Sequence, residues 1–352
     1  MSFPSFEGYI FIPGRDCYGM DIGGVGHIDI RTIKETAEQD ERCVAFNTGG
    51  WIKSEICDPV NFINYGYPDK EGIYIKKEVF IYNPDPKIQN YVISDLNDGL
   101  GNRLFIIATI LAISKIQSKI PLICPELIYP SSHSPVENHV YFYRNITQKN
   151  IKSIDFCTNI VEDNKKFATY VEIPHVKGNI KLRGYFQSEK YFRHIKSEIM
   201  EQFSCPKNIE DILRSTYNLE RSAFLHIRRG DYVNNSYHYI DLNDYYIRAI
   251  KLYPKDINWF ILSNDILYCK QLDFLQFENV TFVDRGEIES LWLMSLCNGG
   301  ICANSSFSWW GSYLQKNILF PRVLPNKIVN DLNCNITDYF PENYVILNVN
   351  DI

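Results

Sequence analysis

From Ala223 onward the sequence alternates between short apolar runs and amphipathic segments, and this alternation constrains the fold more than any other feature. It predicts strands at "AFLHI", "WFILS", "VTFV" and "GICA". It predicts helices at "LNDYYIRAIKLY", with Asp241 as the cap, and at "NDILYCKQLDFL", "EIESLWLMSLC" and "FSWWGSYLQK". Strands that alternate with helices favour a parallel sheet covered on both faces, and such sheets bind ligands beyond the carboxyl ends of their strands.

A shorter series of the same kind precedes this one. A buried strand is predicted at residues 90–97, followed by the loop "DGLGN" and by the helical segment "RLFIIATILAISKIQ", which Pro121 stops. Two strand-and-helix series in one chain predict an α/β protein with two Rossmann-like domains that face a cleft.

The first 85 residues have a different composition. They contain the glycine-rich stretches "DIGGVGHIDI" and "NTGGW" and a helix predicted near residues 32–40, among short strands such as "CVAF" and "GIYI". The proline-rich stretch "YNPDP" at residues 82–86 then interrupts the pattern. We therefore predict three units, a small α+β module rich in Cys and Gly over 1–85 and two Rossmann-like domains over 86–215 and 216–352.

The charge balance restricts the partners. The 352 residues include 36 basic and 42 acidic side chains, for a net charge of −6. A surface that neutralises a nucleic-acid backbone needs a basic excess, so we expect no nucleic-acid partner and only small, locally held anions. The sequence has neither an apolar run of the roughly 18 residues that a membrane span requires nor a signal-peptide pattern. We expect a cytoplasmic protein without a membrane partner, and the oligomeric state stays open.

Metal and disulfide motifs are scarce in the sequence. The ten cysteines form no CxxC pair, and neither a DxD triplet nor an HExxH motif occurs. We predict no metal site, and we expect most cysteines to be buried thiols that pack as small hydrophobes. The exception is the group Cys17, Cys43 and Cys57, within which one disulfide could form.

Two adjacent arginines, Arg228 and Arg229, follow the predicted strand "AFLHI". Their position is the strand end that should open on the cleft, and a guanidinium group matches phosphate oxygens with two hydrogen bonds. We interpret the pair as an anion clamp. A surface ion pair at a solvated strand end is the alternative, and an adhesion tripeptide at "RGD" is a third interpretation that no secretory signal supports.

Further loops follow other predicted strands. "DGLGNRLF" places Gly99 and Gly101 before a helix, where backbone N–H groups and the helix dipole suit an anion, although a tight turn is the alternative. "LSND" ends a strand with Asn264 and Asp265, which suit either a base or ribose edge or a helix cap.

The segment "CANSSFSWWGSYL" also lies between a strand and a helix. The small polar side chains at this helix start suit phosphate or ribose recognition; they are Asn304, Ser305, Ser306 and Ser308. The adjacent Trp309 and Trp310 are predicted to lie in the core, because large aromatic side chains mainly supply buried area.

Six sequence blocks in this order resemble the α-1,2-fucosyltransferases of glycosyltransferase family 11. They lie between residue 91 and about residue 320 and read "GLGNRLF", "GYFQSEKYF", "HIRRGDY", "FILSND", "LWLMSLC" and "NSSFSWWG". The resemblance implies a GT-B-like fold, with an acceptor-side domain over 86–215 and a GDP-sugar donor-binding domain over 216–352. It also implies inverting transfer of L-fucose from GDP-β-L-fucose to the 2-hydroxyl of a galactose-containing glycan, without a metal or another cofactor.

The resemblance implies roles for individual residues as well. Arg228 would hold the β-phosphate, and His226 would lie near the nucleotide. The donor site would include Gly99, Asn102, Arg103, His226, Arg228, Arg229, Asn264, Asp265, Asn304, Ser305, Ser306 and Ser308. Catalysis would involve Arg228, His226 and Asp231, and the residues alone leave Asp231, His238 and Asp241 open as the general base.

The sequence departs from the usual family pattern at three positions. Asp98, Arg103 and Asn264 stand where the family usually has glycine, glutamine and aspartate. The last two departures put acceptor details and base recognition in doubt.

The segment "CVAFNTGGWIK" in the N-terminal module resembles PAN or apple-type domains, which bind proteins or carbohydrates; a structural extension is the alternative. Two other functions stay open for the whole chain. One is a transferase for another GDP-sugar such as GDP-rhamnose, because the nucleotide contacts do not select the sugar. The other is an inactive glycan-binding protein. A composition heavy in Ile, Asn, Lys and Tyr hints at a viral or microbial origin.

Overall fold

A computed structural model describes residues 4–26, 29–56, 63–64, 71–76, 90–131, 136–151, 154, 157–163, 168–331 and 333–349. These residues form three larger sheets that follow one another along the chain, and one two-stranded sheet. The predicted break at 82–86 and Cys57 lie outside the described residues. In the part that is described, no helix is long and apolar enough to cross a bilayer.

The N-terminal elements form an α+β unit with an antiparallel sheet. They are β1 (Tyr9–Pro13), β2 (Arg15–Asp16), β3 (Asp21–Gly24), α1 (Ile30–Glu38), β4 (Ala45–Asn47), β5 (Trp51–Lys53), β6 (Ile63–Asn64) and β7 (Gly72–Lys76). The five-stranded sheet has the order β1-β7-β4-β5-β3. The predicted helix near residues 32–40 is confirmed as α1, which buries Ile33 and Ala37. These pack in one small core with Phe46 and Tyr74.

The middle elements form a five-stranded parallel sheet. They are β8 (Tyr91–Ser94), α2 (Leu100–Ile116), β9 (Ile120–Ile123), β10 (Thr147–Gln148), β11 (Cys157–Val161), β12 (Asn179–Arg183), α3 (Lys196–Gln202) and α4 (Lys207–Thr216). The strand order is β10-β9-β8-β12-β11, and every described pair is parallel. Helix α2 begins three residues before its predicted start.

The C-terminal elements form a six-stranded parallel sheet. They are β13 (Ser222–Ile227), α5 (Asn243–Ile250), β14 (Asn258–Ser263), α6 (Ile266–Cys269), β15 (Val280–Phe282), α7 (Glu287–Leu296), β16 (Gly300–Ile301), α8 (Ser306–Tyr313), β17 (Arg322–Pro325) and β18 (Val345–Leu347). The order β15-β14-β13-β16-β17-β18 is that of a Rossmann-type doubly wound sheet. The predicted α/β class with two parallel sheets is therefore confirmed.

Two local predictions in this half were wrong. The helix predicted at "NDILYCKQLDFL" is only the single turn α6, followed by a 3-10 turn at Asp273–Leu275. The side-chain amide of Gln276 donates to the carbonyls of Lys270 and Leu272, and so it takes acceptors that a continuing helix would use. Asp241 lies one residue before the cap of α5, where its carboxylate accepts from the N–H of Asn243 at 3.0 Å.

The two parallel sheets share an aromatic core. Phe105 of α2 lies 4.5 Å from the ring of Trp309, and Phe192 stacks on Trp310 at 5.4 Å. Both tryptophans are fully buried, which confirms their predicted core position. The indole N–H of Trp309 donates to the carbonyl of Tyr339 at 2.9 Å, so its polar atom is satisfied.

Most of the described cysteines are buried in this structure. The buried ones are Cys17, Cys43, Cys124, Cys269, Cys297 and Cys302. This agrees with the prediction that most of them pack as small hydrophobes.

Candidate active site

A cavity of about 540 Å³ opens between the two parallel sheets. In the C-terminal sheet, β13 and β16 are the neighbours at which the strand order reverses, and the residues that follow them include Arg228 and Ser306. In the middle sheet, β8 and β12 are neighbours, and the residues that follow them include Asn102 and Gln187. All four residues line the cavity. The reversal points of both sheets therefore face one site, as expected for ligands of open α/β sheets.

The cavity brings together most of the predicted donor-site residues. Those that line it are Gly99, Asn102, His226, Arg228, Asn264, Asn304, Ser305 and Ser306, together with the predicted catalytic residue Asp231. Arg103, Arg229, Asp265 and Ser308 do not line it.

Arg228 supplies a positive charge to the cavity wall. Its Nη2 lies 2.6 Å from Oδ1 of Asp231, and its guanidinium lies 5.2 Å from the ring centroid of Tyr232. Its Nε is buried, and among the described residues it has no hydrogen-bond partner. A buried donor without a partner is costly, so the arginine retains capacity for an anion even while it pairs with Asp231.

His226 lies at the end of β13, almost completely buried, with its ring 5.5 Å from that of Phe307. Burial, aided by the positive charge of Arg228, lowers the pKa of His226 to about 3. The imidazole is therefore neutral at pH 7, and among the described residues its buried Nδ1 has no hydrogen-bond partner.

The lowered pKa of His226 predicts how stability depends on pH. The unfolded chain binds a proton at this residue below its ordinary pKa of 6.5, whereas the folded chain does so only near pH 3. The free energy of unfolding should therefore fall as the pH drops from 6.5 toward 3, with about 2 kcal/mol of this loss between pH 7.5 and 5. Urea unfolding at pH 7.5 and pH 5 measures this loss. In His226→Gln the loss of unfolding free energy should be smaller by about 2 kcal/mol. Equal losses in the wild type and the variant would contradict the prediction.

The start of α2 lies directly against the start of α8. A Cβ atom on Gly101 would lie 2.5 Å from the backbone N of Phe307. Oδ1 of Asn102 accepts from Oγ of Ser306 at 2.7 Å and from Nε2 of Gln187 at 2.8 Å. Two helix N-termini thus meet at the cavity, and their unpaired N–H groups and dipoles favour a negatively charged ligand there.

Arg229 points away from the cavity and holds the loop after β13. Its guanidinium lies 3.5 Å from the ring centroid of Tyr268, and its Nε lies 3.5 Å from Oδ2 of Asp265. Its backbone N–H donates to Oδ1 of Asn264 at 2.8 Å. Asp265 also caps α6, because its Oδ1 accepts from the N–H of Tyr268 at 3.1 Å.

Two other predicted donor-site residues are turned into the protein. Arg103 is completely buried and donates to the backbone carbonyls of Asp98, at 2.8 Å, and Tyr129. Ser308 is also completely buried, and its hydroxyl accepts from the N–H of Ala303 at 3.2 Å. Both side chains hold the backbone of loops that line the cavity.

The serine loop is fixed by its own side chains. Nδ2 of Asn304 donates to the carbonyls of His238 and Ile328 at 2.9 and 3.1 Å, and Ser305 caps α8. Of the residues considered as general base, Asp231 and His238 line the cavity, whereas Asp241 does not.

The sequence did not single out several of the residues that line the cavity. These are Leu100, Tyr185, Gln187, Tyr232, Asn235, Leu262, Ser263, Arg285, Glu287, Ser290, Phe307, Ile328, Val329 and Tyr339. Tyr185 and Gln187 follow β12, and Arg285 and Glu287 follow β15, so the strand-end rule would have found them. Within the described residues, no group of three or more His, Cys, Asp or Glu side chains could hold a metal ion.

The structure is an α/β protein in which two parallel sheets meet at a cavity. A largely buried arginine and two helix N-termini make this cavity suited to an anionic ligand. The sequence profile of glycosyl transferase family 11 matches residues 71–323, well over half of the chain. The chain belongs to glycosyl transferase family 11, and the family predicted from the six sequence blocks is confirmed.

Similar proteins include an α-1,2-colitosyltransferase of Escherichia coli, 33% identical over 187 residues, which are 48% of this chain and 63% of that protein. A galactoside 2-α-L-fucosyltransferase of Caenorhabditis elegans is 30% identical over 152 residues, 38% of this chain and 42% of that protein. The chain thus matches less than two thirds of the length of these relatives. Among solved structures, the fucosyltransferase NodZ from Bradyrhizobium aligns with a TM-score of 0.43 and 14% identity, over 64% of this chain and 93% of NodZ.

Proposed function

We propose that the protein is an inverting, metal-independent glycosyltransferase that moves L-fucose from GDP-β-L-fucose to the 2-hydroxyl of a galactose-type acceptor. The observation that carries the proposal is the position of Arg228 beside two helix N-termini in one cavity. Cleavage of the bond between sugar and phosphate leaves negative charge on the departing GDP. Positive groups that are already fixed where this charge develops stabilise the transition state most effectively.

The donor would lie along the carboxyl ends of the C-terminal sheet. The diphosphate would contact Arg228 and the first N–H groups of α2 and α8. The neutral ring of His226 and the adjacent Phe307 would contact the base, because stacking and neutral hydrogen bonds suit a nucleobase. Asn304 and Ser305 hold the loop that carries this part of the site.

The sugar and its linkage rest on the relatives. One of them is named a galactoside 2-α-L-fucosyltransferase and another an α-1,2-colitosyltransferase, so both names specify a 1,2 linkage. Fucose is our proposed sugar, and colitose is the second candidate because the colitosyltransferase is 33% identical over its matched segment.

The test is a GDP-release assay with the purified chain. GDP-fucose, GDP-linked colitose and GDP-rhamnose are each supplied with a simple β-galactoside, in the presence and absence of EDTA. We expect GDP release that depends on both GDP-fucose and the galactoside and that EDTA leaves unchanged. NMR of the product should show an α-1,2-linked fucoside, because an inverting enzyme converts the β-linked donor into an α-linked product.

Other outcomes would reassign the function in specific ways. Faster transfer from GDP-linked colitose or GDP-rhamnose would keep the reaction and change the sugar. Glycan binding without GDP release from any donor would identify a binding protein and overturn the proposed reaction.

A further inference from the structure

Three carboxylates line the cavity among the described residues, and they differ in their partners. Asp231 pairs with Arg228 at 2.6 Å, and Glu287 lies 3.1 Å from Nε2 of the buried His139. Within the part of the chain that the structure describes, Asp98 forms no ion pair, and its carboxylate accepts a hydrogen bond from the hydroxyl of Tyr185. Among the described residues, Asp98 is therefore the lining carboxylate without a direct contact to a cationic or imidazole side chain, although the charge of Arg103 acts on it at longer range.

The backbone of Asp98 adopts a conformation that most side chains avoid. Its φ is +59°, in the left-handed region that favours glycine, between β8 and the start of α2. Two contacts hold it there, because Nε of Arg103 donates to its carbonyl at 2.8 Å and Tyr185 donates to its carboxylate. Strained backbone that its surroundings hold in place is a frequent feature of functional sites.

We propose that Asp98 is the general base that accepts the proton of the acceptor hydroxyl, a role that rests on the proposed transfer reaction. As the hydroxyl oxygen forms its bond to the anomeric carbon, its proton passes to the carboxylate of Asp98. The bond between the anomeric carbon and the phosphate oxygen breaks, and its electron pair leaves with GDP beside Arg228. Asp98 then releases the proton to solvent, so the products are the glycoside, GDP and a proton.

The other candidates are less suited to this role. Asp231 already forms an ion pair with the group that holds the phosphate. The ring of His238 is held between two tyrosines, stacked on Tyr232 at 4.8 Å and edge-on to Tyr237 at 4.9 Å. The carboxylate of Asp241 accepts from the N–H of Asn243, and Asp241 does not line the cavity.

Two substitutions of Asp98 separate basicity from structure. Asp98→Asn keeps the shape, tolerates the left-handed conformation and can still accept from Tyr185, but it cannot take a proton. Asp98→Gly removes the side chain and suits the positive φ, so the protein should stay folded. In both variants kcat should fall by about a hundredfold or more, with the Kd for GDP within about twofold of the wild-type value.

Asn279→Gly is the matched control, since Asn279 is exposed, has a φ of +64° and does not line the cavity. It should leave kcat unchanged. If Asp98→Asn or Asp98→Gly keeps more than about a third of the wild-type kcat, Asp98 is not the base. If the wild type itself binds GDP but transfers no sugar, the proposed function fails, and the role of Asp98 fails with it. If the wild type transfers sugar and the Asp98 variants stay active, only the role of Asp98 is contradicted, and the proposed function stands.

Discussion

Arg228→Ala should lower kcat/KM for sugar transfer by at least about a hundredfold while the protein stays folded. The guanidinium is largely buried at the cavity, and in the proposed reaction its charge-assisted contact to the departing phosphate would contribute about 3 kcal/mol to transition-state stabilisation. Stability should change little, because the ion-pair partner Asp231 is one-third exposed and can turn to water. The GDP-release assay and a urea unfolding curve measure the two effects.

Two further variants show whether the charge or its geometry matters. Arg228→Lys keeps a positive charge but loses the contact through two hydrogen bonds. Its kcat/KM should therefore lie between that of the wild type and that of Arg228→Ala. Arg221→Ala removes an exposed arginine that pairs with Asp256 just before the same strand, and it should leave transfer unchanged. Near-normal turnover of Arg228→Ala, or an equal loss in Arg221→Ala, would contradict the assigned role.

The cavity lies at the strand ends that the sequence predicted. This prediction succeeded because the alternation of apolar strands with helices is a strong signal of a parallel sheet. The strand containing His226 is buried at every residue, and the arginine that follows it lines the cavity as expected. The strand "NIKLR" at Asn179–Arg183 was not predicted, because it is short and carries charge. Its Lys181 pairs with Asp95 at 2.8 Å, an ion pair that sequence patterns do not reveal. The following Tyr185 and Gln187 lie in the quoted block "GYFQSEKYF" but were not predicted as site residues.

Side-chain direction was harder to predict than position. Arg103 lies in the first turns of α2, three residues after the helix begins, and the family resemblance implied that it belongs to the donor site. The structure turns it inward, where its guanidinium donates to the backbone carbonyls of Asp98 and Tyr129. Arg229 and Arg228 are adjacent, yet only Arg228 lines the cavity, since Tyr268 and Asp265 hold Arg229 on the other side of the loop. Such choices depend on contacts between residues distant in sequence.

Gly101→Ala should also reduce transfer strongly, although alanine favours a helix. Alanine gains about 1 kcal/mol of helix propensity over glycine, but the added Cβ would lie 2.5 Å from the backbone of Ser306 and Phe307. Ordinary contact requires roughly 3.5 Å, so the starts of α2 and α8 must move apart by about 1 Å. Overpacking of this kind costs about 1–3 kcal/mol, and it outweighs the gain in propensity.

The same displacement should act on catalysis more than on stability. It would separate Asn102 from Ser306, whose side chains are 2.7 Å apart, and would move both helix N-termini away from the proposed position of the phosphates. A misplacement of about 1 Å can cost about a hundredfold in rate, so kcat/KM and GDP affinity should both fall while the protein stays folded at 25 °C. Gly23→Ala is the control, because no atom lies within 4 Å of the Cβ added there. Unchanged GDP affinity in Gly101→Ala would mean that the helix starts do not hold the phosphates, whatever the effect on stability.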